Sequence, residues 1–190
     1  MHILLDHISA WMISGCVILM VVSTQFNAQR SSVEQSIAYG AKAQILQMAD
    51  MMEQELLLIG EGTDDTIETV TENDAGETVE FTFHREDDGG SDIEVSYQLV
   101  ETESIEIDDE ATQLYRLDRY EGGVIDGGGS STMSHFRITM LDASGTETAS
   151  VASARLLRLA AVNAYAHGDT EDMFLYESYW GLTIRPMNLE

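Results

Sequence analysis

The feature that most constrains this chain is an uncharged, mostly apolar run near its N-terminus. The run extends from residue 8 to residue 24, and no Asp, Glu, Lys or Arg lies between Asp6 and Arg30. As an α-helix, a run of this length is just sufficient to cross the hydrocarbon core of a bilayer. We therefore predict a transmembrane or otherwise hydrophobic N-terminal helix over residues 1–30.

The helical pattern does not stop where the uncharged run ends. Apolar residues recur every three or four positions, which is the spacing of one helix face, at Val33, Ile37, Ala41, Ile45, Met48, Met52, Leu56 and Ile59. Glycines at positions 60 and 62 then supply a C-terminal stop. The pattern predicts an amphipathic helical extension over residues 31–60.

After Gly62 the apolar period changes from 3.6 to two. Clean alternation at 78–84 and 92–100 predicts two strands joined by an acidic hairpin turn at 85–91. Further strands are expected at 66–71, 113–119 and 134–141, with a last strand and a short tail within 173–190 and a flexible glycine-rich loop at 121–131. The alanine-rich stretch 151–166 suits either helix or strand, and its place in the sheet order favours strand.

These patterns together predict an α+β fold. A long N-terminal hydrophobic and amphipathic helix is expected to pack on an antiparallel β-sheet head formed by residues 61–190. The organisation is thus an N-terminal hydrophobic helix, a helical extension and an acidic β-rich head.

The charge is strongly negative and concentrated in the expected head. The net charge is −25, and Lys42 is the only lysine. The first 60 residues hold five acidic and two basic side chains, and the other 130 residues hold 29 acidic and seven basic side chains. Such a domain repels nucleic acid, so we expect no nucleic-acid partner. Scattered acids with almost no lysine indicate a protein kept soluble in high salt, and an ordinary acidic extracellular domain is the alternative.

The N-terminal segment is interpreted as a retained anchor and not as a cleaved signal peptide. Residues 1–7 contain no Lys or Arg, residues 23–25 form a poor cleavage site, and the helical pattern continues beyond them. The charge bias that sets orientation is weak, because Arg30 and Lys42 are the only nearby bases. Cys16 is the single cysteine, which excludes an intrachain disulfide and suits a small apolar packing residue.

The residue patterns predict no catalytic, cofactor or metal site. No histidine pair has the spacing of a zinc-binding helix, and His84 and His135 are interpreted as surface or edge residues of strands. The glycine-rich stretch 127–131 matches neither a nucleophile elbow nor a phosphate loop. The acidic loops at 86–92 and 108–110 offer calcium-type oxygen ligands without EF-hand spacing, so they are interpreted as solvated turns. We therefore predict that the protein is not an enzyme.

Several stretches carry a resemblance to a known family. Residues 44–62 end in Ile59-Gly60-Glu61-Gly62, and strand-like stretches follow at 81–85, 114–116, 136–145 and 183–189. With the preceding apolar helix, they resemble type IV pilin-like proteins, above all the minor pilins and pseudopilins. The resemblance extends over nearly the whole chain and implies a pilin-like fold.

The resemblance also implies a function and a set of contacts. It implies a structural subunit of a type IV pilus or type II secretion-like filament, which contacts the membrane and other pilin-like subunits through its N-terminal helix. The expected location is the cell envelope, either inner-membrane anchored with the head outside the cytoplasm or in an extracellular filament. The residues expected to mediate assembly are Asp6, Ile8, Trp11, Ser14, Gly15, Val17, Ile18 and Val21.

Two points about this N-terminal region remain open at the level of sequence. Asp6 suits a helix N-cap. Alternatively, it stands where the family has a glutamate as the fifth mature residue, which offers a carboxylate to the N-terminal amine of a neighbouring subunit. The chain departs from the family in having no basic leader and no glycine before the apolar run, so processing by a prepilin peptidase is not predicted. The alternative function is a bitopic envelope protein whose β-rich head binds a ligand or partner.

Overall fold

A computed structural model describes residues 2–63, 66–87, 89–107, 110–128, 132–167 and 174–189. Within these residues the α+β prediction is confirmed, with one α-helix preceding eight strands. The helix is α1 (His2–Leu57), and the strands are β1 (Ile67–Glu72), β2 (Thr78–Glu86), β3 (Asp92–Ile107), β4 (Glu110–Glu121), β5 (Val124–Gly128), β6 (Met133–Leu141), β7 (Leu156–His167) and β8 (Phe174–Ile184).

The strands form one antiparallel sheet in the order β1-β2-β3-β4-β6-β7-β8, with β5 paired to β4. The β4–β6 pairing is short and involves Tyr115 and Met133. Side chains at the start of β2 and just before it satisfy backbone groups of β6. A Glu77 carboxylate oxygen accepts the Phe136 N–H at 2.7 Å, and Thr78 Oγ1 accepts the Ile138 N–H at 2.9 Å. These contacts pair buried backbone donors that the ladder leaves without a strand partner.

The chain divides into two compact units, Met1–Gly40 and Ala41–Glu190. In the second unit the C-terminal part of α1 packs on the sheet through the apolar stripe predicted from the sequence. Met52, Leu56 and Ile59 are fully buried and join a core with Phe81 and Phe83. The helix in this unit is therefore held by its buried face, as expected for an amphipathic segment.

The end of α1 is fixed to β2 by a glycine turn. The Gly60 N–H donates to the His84 carbonyl at 2.8 Å. Gly60 has φ +73°, and a Cβ at this position would lie 2.8 Å from the Thr66 Cγ2. Both the left-handed conformation and the close approach require glycine here, which explains why the helical pattern stops at this point.

The structure differs from the sequence-based prediction in two places. The β3–β4 hairpin is longer than expected, since residues 101–107 continue β3 although most of them are exposed. The predicted flexible loop at 121–131 is wrong for residues 124–128, which form β5; residues 129–131 lie outside the described residues. Gly122 and Gly123 both have positive φ, the conformation that closes a two-residue hairpin.

Two further sequence-based predictions concern residues 151–166 and the acidic loops. The ambiguous stretch 151–166 is a strand from Leu156 onward, as predicted, and it is preceded by a short 3₁₀ turn at Val151–Ser153. In the acidic loops, residues 88, 108 and 109 lie outside the described residues.

Candidate assembly surface on the N-terminal helix

The N-terminal unit presents an exposed apolar helical surface. Residues His7–Leu57 form the one described helix long and apolar enough to cross a membrane, with a mean hydropathy of 1.7 in its most apolar window and 0% of that window buried. The core helix of a soluble domain would bury such a window. The large exposed side chains are Ile8, Trp11, Met12, Ile13, Val17, Ile18, Leu19, Met20, Val21, Val22 and Phe26.

The residues predicted to mediate assembly lie along one half of this helix. Successive residues of a helix are about 100° apart, which places Ile8, Trp11, Gly15 and Ile18 on one face and Ser14, Val17 and Val21 on the adjoining face. All of them are exposed, and Trp11 is 78% exposed. The side chain of Asp6 lies outside the described residues, so the structure does not place its carboxylate.

Sequence reasoning did not single out the opposite half of the helix. Met12, Ile13, Leu19 and Met20 cover that half and are between 65% and 71% exposed. The sequence signal that could have identified these residues is the unbroken apolar run, since they belong to no periodic stripe. The helix is therefore apolar around its whole circumference, which is typical of a segment surrounded by lipid or by other helices.

Gly15 leaves an unfilled space on this surface. A Cβ at Gly15 would meet nothing within 4 Å, so no packing within the described chain requires a glycine. Glycine inside a helix costs about 1 kcal/mol relative to alanine. Small residues at such positions permit close approach of a second helix.

One hydroxyl of this segment is satisfied within the helix, as an apolar environment requires. The Thr24 hydroxyl donates to the Met20 carbonyl at 2.8 Å, which satisfies it within the helix. The first charged pair follows the apolar run, where Arg30 Nε lies 3.2 Å from Glu34 Oε1. The uncharged run thus ends where solvated charges begin.

The second unit contains a buried ionic cluster between the last turns of α1 and the sheet. Arg119 Nε lies 3.0 and 3.1 Å from the two carboxylate oxygens of Glu55, and its Nη2 lies 2.5 Å from Glu55 Oε1. The Tyr97 hydroxyl donates to the same carboxylate, and Arg119 also pairs with Glu121 and, at 2.6 Å, with Asp126. The Arg119 side chain is only 7% exposed.

These contacts explain the electrostatics of the cluster. The hydrogen bonds from Arg119 to Glu55 hold the arginine pKa far above its usual range despite burial. Burial, reinforced by the nearby Glu55 carboxylate, raises the pKa of Tyr97 well above its ordinary value. The charged groups pair with one another, so the arrangement fixes the helix end to β3 and β4.

The two strand histidines lie where the sequence placed them, on β2 and β6. His135 Nδ1 lies 2.7 Å from Glu77 Oε1, the glutamate that also accepts the Phe136 N–H. His84 is contacted by Glu68 and Asp92 from the neighbouring strands. Both histidines thus have carboxylate partners, which the sequence spacing did not reveal.

Comparisons with protein-family models, with curated proteins and with solved structures found no match for this chain. The structure itself has one long apolar N-terminal helix followed by an antiparallel sheet, an arrangement consistent with a pilin-like architecture. The helix is also compatible with membrane anchoring.

Proposed function

We propose that this protein is a structural subunit, of the minor pilin or pseudopilin kind, in a type IV pilus or type II secretion-like filament. The observation that carries the proposal is the exposed apolar circumference of α1 from Ile8 to Phe26. Exposed apolar patches of this extent mark surfaces that another molecule covers. In this role the segment lies in the bilayer before assembly and among other subunits' helices afterwards.

A second feature favours protein partners over lipid alone. Val33, Ile37 and Tyr39 are 54%, 43% and 73% exposed and lie beyond the first charged residue, Arg30. At about 1.5 Å per residue, Val33 is roughly 13 Å along the helix from Thr24. Apolar side chains this far from the uncharged run are not covered by the same hydrocarbon layer, and helices of neighbouring subunits supply the missing contact.

The proposal includes location, partners and the absence of catalysis. The partners are other pilin-like subunits and the membrane, with the head outside the cytoplasm or on an extracellular filament. The cluster of ionisable groups around Glu55 and Arg119 supports a structural role because its charged groups pair with one another. An enzyme needs at least one such group available to a substrate.

The test compares one substitution at two exposed valines. Val17→Lys places a charge inside the apolar run, where it costs about 2.5–3.5 kcal/mol in a membrane. Val124→Lys is the matched control, since Val124 on β5 is 67% exposed. Both full-length variants and the wild type are produced in the source cells, which are separated into carbonate-washed envelope, sheared filament and soluble fractions.

We expect wild type and Val124→Lys in the envelope and sheared filaments, and Val17→Lys depleted from both. Recovery of the wild-type chain as a soluble monomer would contradict the proposal. Envelope retention with no chain in filaments and no cross-linked oligomer would instead indicate the bitopic binding protein.

A further inference from the structure

One face of β1, β2 and β3 brings a histidine and several carboxylates together. Ile67, Phe83 and Val95 are buried on the core side of these strands. Because side chains alternate along a strand, their neighbours Glu68, His84 and Glu94 share the opposite face. One ligand atom from each of these three residues lies within 4.8 Å of the other two. We infer that this face is a binding site for a divalent transition-metal ion of the zinc type.

The strand register builds this group. His84 and Glu94 are direct cross-strand partners on β2 and β3, which places their side chains side by side. On β1 a register shift separates the Ile67–Phe83 pair from the Thr69–Thr82 pair, so Glu68 is the extra residue of a bulge. Bulges re-aim a side chain and are frequent beside functional sites. Here the bulge brings Glu68 Oε2 to 3.4 Å from His84 Nε2.

The backbone of the central ligand is held from both sides. The His84 N–H donates to the Thr66 carbonyl at 2.8 Å, and its carbonyl accepts from Gly60 at 2.8 Å. The His84 side chain is 18% exposed, whereas Glu68 and Asp92 are 55% and 47% exposed. The backbone of His84 is thus fixed, its ring is mostly buried, and an ion can reach the carboxylates from solvent, as a preorganised metal site requires.

The group holds carboxylates that no Lys or Arg of the described residues pairs with. Asp92 Oδ1 lies 3.3 Å from His84 Nδ1 and adds a third carboxylate. Among the described residues, Glu68 and Asp92 form ion pairs with His84 alone, and Glu94 forms none. A bound divalent cation would compensate the charge of these carboxylates, and Asp92 at Nδ1 would orient the ring, as carboxylates do behind metal-bound histidines.

The donor set indicates the class of ion. An imidazole nitrogen with two carboxylates suits Zn²⁺ and similar ions, which accept mixed N and O ligands at about 2.0–2.2 Å. Ca²⁺ and Mg²⁺ prefer oxygen ligands alone. The ligands on three strands would join the β1 edge to the sheet.

The test uses the full-length chain purified in a nonionic detergent and stripped of metal. Zn²⁺ binding is measured by titration calorimetry with excess Mg²⁺ present, because Mg²⁺ occupies weak acidic surface sites. Glu94→Gln and His84→Ala each remove a ligand. Glu106→Gln is the matched control, since it makes the same change on an exposed residue of β3 outside the cluster. Circular dichroism confirms that each variant is folded.

We expect one Zn²⁺ per wild-type chain, an unchanged affinity in Glu106→Gln, and an affinity at least about tenfold weaker in both ligand variants. Because Glu94 is exposed, its variant tests the site even if His84→Ala does not fold. Two results would overturn the inference: no stoichiometric binding by the wild type, or equal affinity in folded Glu94→Gln and Glu106→Gln.

Discussion

At the scale of single residues, Glu55 near the end of α1 connects the helix to the sheet through its carboxylate. It lies on α1 among residues that the helical pattern assigns to the polar face, yet its side chain is only 13% exposed. Its carboxylate accepts hydrogen bonds from Arg119 and Tyr97. A buried carboxylate is tolerated where such donors replace its hydration, so Glu55 links the helix to two strands at once.

Neutralising Glu55 is expected to destabilise the fold. Glu55→Gln removes the charge that pairs with Arg119, but Glu121 and Asp126 remain as partners. The expected loss in the free energy of unfolding is therefore about 1–3 kcal/mol, as for an impaired buried hydrogen bond to a charged group. Urea unfolding in nonionic detergent measures it, and Glu53→Gln on the exposed face of α1 is the matched control. Equal stabilities of the two variants would contradict this account.

Tyr97 is expected to determine part of the loss of folding stability at high pH. Its pKa is raised in the folded state by burial and by Glu55, above the ordinary value of 10.0. The neutral phenol therefore stabilises the fold fully below pH 10, and this stability is lost as the pH rises from there through the folded-state pKa. Tyr97→Phe should be less stable at neutral pH and should decline less steeply above pH 10.

The measurement for this prediction is the urea midpoint between pH 8 and pH 11. Tyr39→Phe is the control, because the Tyr39 side chain is 73% exposed. A Tyr97→Phe variant that follows the wild-type profile above pH 10 would show that the buried phenol does not carry this dependence.

The sequence alone could not predict these residue contacts. Arg119 and Glu55 are 64 positions apart, and periodicity reports which face a residue occupies but not which strand lies opposite. The assembly residues are a contrasting case, because Ile8, Trp11 and Val21 are exposed members of a continuous apolar run. Local hydropathy identifies such residues without knowledge of the fold. The cluster at His84 depends on a bulge, and no local pattern in residues 66–72 indicates one.

At the scale of elements, α1 combines two kinds of surface. Before Arg30 it is apolar on all sides, whereas in the sheet unit its buried side chains form one stripe and apolar residues outside it, such as Leu46 and Met51, are exposed. A period of 3.6 therefore predicted the buried stripe correctly. The sequence did not predict the ends of β3 and β4 that extend beyond the core, because they carry no apolar periodicity. Their residues are mostly polar and exposed, so backbone pairing and not side-chain burial makes them strands.

Two adjacent methionines test the contribution of the buried stripe. Met52 is 0% exposed and Met51 is 37% exposed. Met52→Ala leaves a cavity in the core and is expected to lower the free energy of unfolding by about 2–5 kcal/mol. Met51→Ala removes the same atoms from the surface and should change it by no more than about 0.5 kcal/mol. Chemical denaturation of both variants in nonionic detergent gives the comparison, and similar losses would place the helix–sheet contact elsewhere.

At the scale of the whole molecule, the dominant property is a net charge of −25. The nine Lys and Arg side chains can neutralise only a minority of the 34 Asp and Glu side chains. The remaining acids are mostly exposed on strands and turns. Their mutual repulsion opposes the compact state, and salt reduces it, since the Debye length falls from about 10 Å at 0.1 M to about 3 Å at 1 M.

We therefore expect the folded state to become more stable as the KCl concentration rises from 0.1 to 1 M. The measurement is the urea midpoint in nonionic detergent, because urea, unlike guanidinium, leaves the ionic strength unchanged. Replacing the exposed acids Glu101, Glu103 and Glu106 by Gln reduces the magnitude of the negative net charge and leaves the core unchanged. This triple variant should therefore show a smaller rise of the urea midpoint with KCl. The buried pair of Glu55 and Arg119 is screened less than exposed charges, so it should offset little of the gain. A midpoint that stays constant or falls with KCl would exclude self-repulsion as a main determinant of stability, and with it the interpretation of this composition as an adaptation to high salt.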